Sequence, residues 1–173
     1  DGMVWLDGVV RAGVPEGLFQ SLLTDGLIAA DSALRSGLSR EDLKEEFARM
    51  GRVRNSRIVR AVLHHASELS RSPYESFARA LIIEADFPWP IFFKAQFKAL
   101  PGITTALCIN NAYLVDIVST KALPHQRERH QLLRKAGFTV LCYSPRQLVD
   151  HPDRFLADLT ATVSAGQKAA RSA

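Results

Sequence analysis

The sequence predicts a layered α/β (α+β) fold with a helical N-terminal part, and three observations carry that reading. Apolar residues recur at three- and four-residue steps through the first half of the chain; from about residue 91 the runs become short and rich in β-formers; and the pair Asn110-Asn111 separates two such runs. The predicted order is three helices followed by α-β-β-β-α-β-α, which is a layered arrangement and not a bundle.

Each element has its own signal. Leu18, Leu22, Leu23, Leu27, Ile28, Ala30 and Leu34 give a first helix over 18–35, with Gly37 as its stop. A second helix follows in "SREDLKEEFARM", where Ser39 is placed as N-cap and Asp42 stands three positions on. A third covers 56–69 with Ile58, Val59, Val62 and Leu63 on one stripe, and a fourth opens at Pro73 and runs to about Asp86. "IFFKAQF", "TTALCI" and "AYLVDIV" read as three strands, the last two joined by a two-residue type I′ turn at Asn110-Asn111. Both faces of that hairpin are apolar, so the sheet is expected to be covered on both sides. A helix over about 124–136 ends at Gly137, "FTVLCY" is the fourth strand, and a last helix covers about 152–165, leaving 166–173 as a frayed tail. The expected boundaries are a helical part over 1–70 and a core over 71–165, divided at "SRSP".

Length and composition exclude several classes. At 173 residues, with 47% hydrophobic and 23% charged side chains, the chain has the make-up of an ordinary globular protein. Its longest apolar runs fall well below the roughly 18 residues a membrane helix needs, and its first residues lack the pattern of a secretory signal, so a cytoplasmic location is expected. Because it opens with Asp, it is expected to be a fragment with something N-terminal missing. Cys108 and Cys142 lie in apolar strand-like runs without zinc-site spacing and read as reduced, hydrophobic thiols. A net charge of +4 and a pI near 9.3 mildly favour an anionic partner.

Two basic groups are candidate contacts to nucleic acid or an acidic partner. Arg52, Arg54, Arg57 and Arg60 lead into the third helix, while Arg127, Arg129, Arg134 and Lys135 lie on the helix after the hairpin. The simpler reading has the first group facing Glu41, Asp42, Glu45 and Glu46, or water. His64 and His65 point apart, His125 and His130 do not share a face, and none ranks as a metal ligand. Trp89, Phe92 and Phe93 are read as packing residues rather than base-stacking ones. No dinucleotide, P-loop or serine-hydrolase signature occurs.

The runs "DGLIAADSALRSGLSREDL", "SPYESFARALIIEADFPWP" and "RERHQLLRKAGFTVLCYSPRQLVDHPDRFLADL" resemble, in that order, actinobacterial proteins related to very-short-patch-repair endonucleases, of the PD-(D/E)XK superfamily. Many of these resemble AbiEi-type antitoxins, which carry a winged helix before this region; none is recognisable in the first 20 residues. The resemblance runs over about residues 27 to 160 and implies a restriction-endonuclease-like αβββαβα core. It places the helix glutamate of active members at Glu75 and the third-strand acid at Asp116, whereas the second-strand aspartate falls on Thr105 and the polar residue after the third-strand acid on Val118.

Strand geometry bears on that site. A two-residue turn would make Thr105 and Asp116 cross-strand neighbours, with Asp116 and Val118 on one face. A magnesium ion takes hard oxygen ligands, and a hydroxyl, one carboxylate and an isopropyl group hold too little charge for it; Glu75 could supply a second carboxylate from the helix, which leaves a residual metal site at Glu75 and Asp116 open. The alternative for Asp116 is an acid hydrogen-bonded to Thr105 or a basic side chain; for Glu75, an acid in a first helical turn. The expectation is therefore a catalytically degenerate binding or regulatory module, implied by resemblance to be an antitoxin, with a nucleotidyltransferase-like toxin as partner, DNA as a further partner, and no membrane or cofactor. The alternatives are a magnesium-dependent DNA endonuclease using Glu75 and Asp116, and a non-catalytic DNA-binding protein.

Overall fold

The computed structural model describes residues 21–49, 56–85, 87–88, 90–118 and 123–171. Within them lie seven helices and a four-stranded mixed sheet, the α/β character the sequence predicts. The chain divides into two compact units between Glu84 and Ala85. This boundary is later than the one expected at residue 70, because the helix over Pro73–Glu84 packs on the first helix and so belongs to the helical unit.

The helical unit contains α1 (Leu22–Arg35), α2 (Arg40–Arg49), α3 (Ser56–His65) and α4 (Pro73–Glu84). Ser21 caps α1 by accepting from Thr24 N–H at 3.0 Å; the predicted start at Leu18 lies outside the described residues. Gly37 ends the helix with φ +101°, a conformation glycine adopts at little steric cost. Ser39 and Asp42 cap α2 reciprocally: Asp42 N–H donates to Ser39 Oγ at 3.1 Å and Ser39 N–H to Asp42 Oδ2 at 2.8 Å. The bond from Ser39 N–H, with a second from Ser39 Oγ at 2.8 Å, holds the Asp42 carboxyl below its ordinary value. Ala30, Ala33, Leu34, Leu43, Val62 and Ala66 form the apolar core, and α1 approaches α3 so closely that a Cβ on Gly26 would lie 2.7 Å from Val62 Cγ2.

Helix α3 stops at His65, short of the predicted Leu69, and arginines take its last carbonyls. Arg79 of α4 donates to His65 C=O, and Arg40 donates to Ala66 C=O. The Arg79 guanidinium also donates to Asp31 Oδ2 at 2.6 Å and to Ser70 Oγ at 3.0 Å, while Ser67 N–H donates to Asp31 Oδ1 at 2.6 Å. Asp31 is fully buried and Arg79 is 4% exposed, so this ion pair ties α1, α3 and α4 together without solvent. Burial pushes the Asp31 carboxyl up, with the Arg79 charge opposing it.

The second unit is built on β1 (Phe93–Leu100), β2 (Ile103–Ile109), β3 (Tyr113–Ile117) and β4 (Thr139–Tyr143), in the order β1-β2-β3-β4. The first three strands pair antiparallel, and β4 joins β3 in parallel. The crossover that a parallel pair requires contains α5 (Leu123–Lys135). After β4 come α6 (Pro145–Asp150), a short helix the sequence reading did not anticipate, and α7 (Pro152–Arg171). Helix α7 continues past Ala165, where a frayed tail was expected, and passes so near β3 that a Cβ on Gly166 would lie 1.8 Å from Tyr113 Oη.

The hairpin register departs from the two-residue expectation. Asn110 and Asn111 do adopt φ +49° and +58°, but Ile109 pairs with Tyr113, so Ala112 loops out of the ladder. Its carbonyl instead accepts from Thr139 N–H at 3.0 Å, linking the turn to β4. One extra residue reverses every side-chain relationship across the hairpin. Leu107 faces Val115, so by alternation Thr105 shares the Val115 face and Asp116 the Leu114 face. Leu133 of α5 covers the second face with Cys108, Leu114 and Val140. On the other, Phe155 of α7 meets Tyr143 edge-on at 5.2 Å. The sheet is thus covered on both sides, as its apolar faces require.

Candidate functional site

Asp116 is the one acid within the strands, and the way it is held defines the candidate site. It is 5% exposed on β3, on the face that α5 covers. Leu133 of α5 packs in the core, and four and three residues before it, on the same helical face, stand Arg129 and His130. Arg129 Nη1 forms an ion pair with Asp116 Oδ2, and Nη2 donates to Thr104 C=O of β2. His130 Nε2 lies 3.1 Å from the same Asp116 oxygen. Arg129 therefore fastens the helix to two strands, and Leu133 packs it onto the core. A carboxylate in this position costs several kcal/mol in desolvation unless it is paired, and Arg129 provides the pairing.

Thr105 takes no part in this cluster. It points to the opposite face, buried, with its hydroxyl donating to Leu107 C=O at 3.4 Å, so the expected Thr105–Asp116 neighbour relation is corrected by the register. Val118 lies just past β3, its N–H donating to Tyr143 C=O at 2.9 Å. These residues do not fit the magnesium ion that the endonuclease alternative needs: the carboxylate is shared by a guanidinium and an imidazole, the hydroxyl faces away, and Val118 has no donor oxygen in its side chain. A dication at Asp116 would sit against the Arg129 charge.

Glu75 belongs to the helical unit, at the third position of α4. It accepts from Arg71 N–H at 2.8 Å, while its own N–H donates to Ser72 Oγ at 3.3 Å. Ser72 thus caps the first turn of α4, and the Glu75 carboxylate reaches back to the backbone of the residue before that cap.

The basic candidates separate into exposed and engaged. Arg57 and Arg60 are exposed on α3, and Arg127, Arg134 and Lys135 are exposed on α5, whereas Arg129 is turned onto Asp116. Arg52 and Arg54 lie outside the described residues, as does Trp89. The acids of α2 pair along their own helix, Glu41 with Lys44 and Glu45 and Glu46 with Arg49. Phe92 is 75% exposed, against the packing role expected of it. Burial pushes up the thiol of Cys108, while Cys142 reaches the surface.

His130 is the site residue that sequence reasoning passed over. Its signal was present: counting back from Leu133 by three and four residues places His130 and Arg129 on the sheet-facing side. Comparison with protein-family models, with curated proteins and with solved structures finds no match.

Proposed function

We propose that this chain is a non-catalytic binding module on a degenerate PD-(D/E)XK-like core, of the kind the AbiEi-type antitoxins carry, with a nucleotidyltransferase-like toxin as its partner. The observation that carries this reading is the commitment of Asp116 to Arg129 and His130. A strand carboxylate that once served a metal would, in such a module, serve to fasten α5 to the sheet. The helix, three-strand, helix, strand, helix order of 73–171 supports the resemblance on which the fold part rests, and α6 is an addition to it.

Two measurements test the reading. Purified chain incubated with plasmid DNA and Mg²⁺ or Mn²⁺ is expected to leave the DNA intact; cleavage that Asp116→Asn abolishes would establish the endonuclease instead. Co-expression with a nucleotidyltransferase-like protein encoded beside it is expected to yield a complex that survives gel filtration. Two separate peaks at micromolar concentration would remove the antitoxin assignment.

A further inference from the structure

The two edges of the sheet are treated differently. On β1, Lys94 and Lys98 are exposed, Gln96 is in the left-handed region at φ +47°, and the register shifts between Lys98 and Leu100. Lysines, irregular backbone and bulges are the devices that keep an edge from pairing with other chains. The other edge, β4, reads "TVLCY", with no charge, no proline and no positive φ.

The backbone groups that β4 presents outward follow from its pairing. Thr139 N–H donates to Ala112 C=O and Tyr143 C=O accepts from Val118 N–H, both across to the β3 side. In a parallel ladder alternate residues bond to the same neighbour, so Thr139, Leu141 and Tyr143 face β3 while Val140 and Cys142 turn their N–H and C=O groups away. Among the described residues, no main-chain hydrogen bond engages those outward groups.

The same stretch lines a groove of about 330 Å³. Val140 to Tyr143 form its floor; Arg134 of α5 stands on one rim, and Gln147, His151, Arg154 and Asp158 of α6 and α7 on the other. Four consecutive strand residues lining one groove means that the strand's edge is what the groove exposes. Arg134 has no ion pair among the described residues. Arg154 is 3.9 Å from Asp158 with both largely in solvent, a separation that neutralises little, and Asp158 already accepts from Tyr143 Oη at 3.1 Å. The rims therefore offer two arginine charges against one engaged carboxylate.

We propose that this edge accepts an extended, acidic segment of a partner protein, which adds to the sheet as a fifth strand beside β4. The inference rests on the reading of the chain as a binding module and names where the partner docks. In strand addition the main-chain bonds supply affinity and the flanking side chains supply selectivity. Here the outward groups of Val140 and Cys142 would make the bonds, and Arg134 and Arg154 would select for acids. A second copy of this chain fits less well. A second copy brings the same two arginines to the edge and only the engaged Asp158 as an acid among the groove residues, so it offers no charge complement.

The test uses the full chain, labelled with ¹⁵N, and a blocked heptapeptide, Glu-Val-Thr-Val-Thr-Val-Glu. Amide exchange at Val140 and Cys142 is expected to slow at least tenfold at saturating peptide, with Leu141, already bonded to β3, unchanged. The same peptide ended in lysines is expected to bind at least tenfold more weakly, as is the original peptide to an Arg134→Glu, Arg154→Glu variant of unaltered thermal midpoint. No slowing at millimolar peptide, equal slowing along β1, or equal affinity for the lysine-ended peptide would overturn the proposal. If the toxin complex forms in gel filtration while the peptide fails, the edge assignment falls and the module reading stands. If neither forms, both fall.

Discussion

The helical unit and the sheet unit each bury an acid against an arginine from another element, and they bury it to different depths. Asp31 and Arg79 are both below 5% exposed, and two further groups, Ser67 N–H and the Ser70 hydroxyl, complete the cluster. In the sheet unit Asp116 is 5% exposed and its partners are less sealed: the Arg129 side chain is 23% exposed and that of His130 12%. The first pair lies wholly inside its unit; the second lies at the margin, where α5 lies over the strands. The same chemistry thus does two jobs: fixing how three helices meet, and clamping one helix to a sheet.

The largest consequence of that difference should appear on removing each arginine. Arg79→Met leaves Asp31 buried without its counter-charge and should cost about 3–5 kcal/mol, read as a lower urea midpoint. Arg129→Met leaves Asp116 closer to solvent and to His130, and should cost roughly half as much, about 2 kcal/mol. Equal losses would erase the distinction between a sealed pair and a marginal one.

A pH series sharpens the same contrast. Burial raises the Asp31 carboxyl above its ordinary value of 3.8, so between that pH and the raised value the folded chain binds more protons than the unfolded one. Stability from this residue is therefore present at low pH and declines as pH rises through the window. Urea midpoints from pH 4 upward should fall more steeply for the natural chain than for Asp31→Asn; parallel curves would mean that Arg79 fully offsets burial. The smallest effect belongs to Glu75→Gln, which keeps an acceptor for Arg71 N–H and should change stability by less than about 1 kcal/mol. A larger loss would show that its charge has a role beyond the α4 cap.

Local signals were legible wherever a few adjacent residues settle the conformation. Ser39 with Asp42, Gly37, Pro73 and Gly137 all stand where they were expected to begin or end a helix. The positive φ angles of Asn110 and Asn111 were legible for the same reason. The ladder beyond them was not, because whether Ala112 or Tyr113 stands opposite Ile109 is tied to the bond from Thr139 N–H to the Ala112 carbonyl, made by a strand more than twenty residues later. From that one residue follow the reversal of Thr105 against Asp116 and the pairing of Asp116 with α5. Likewise, α4 reads as the first helix of the sheet core in sequence order, yet its buried face meets α1.

The sequence alone determined the α/β class, most helix ends, the strand runs and the presence of a lone acid in an apolar strand. Those properties arise from interactions spanning a few residues, which a linear pattern records. Tertiary structure alone decided which face that acid occupies, which cation holds it, and which sheet edge stays open. Each is a competition among groups far apart along the chain for one buried charge or one row of backbone bonds, and only the packed arrangement resolves it.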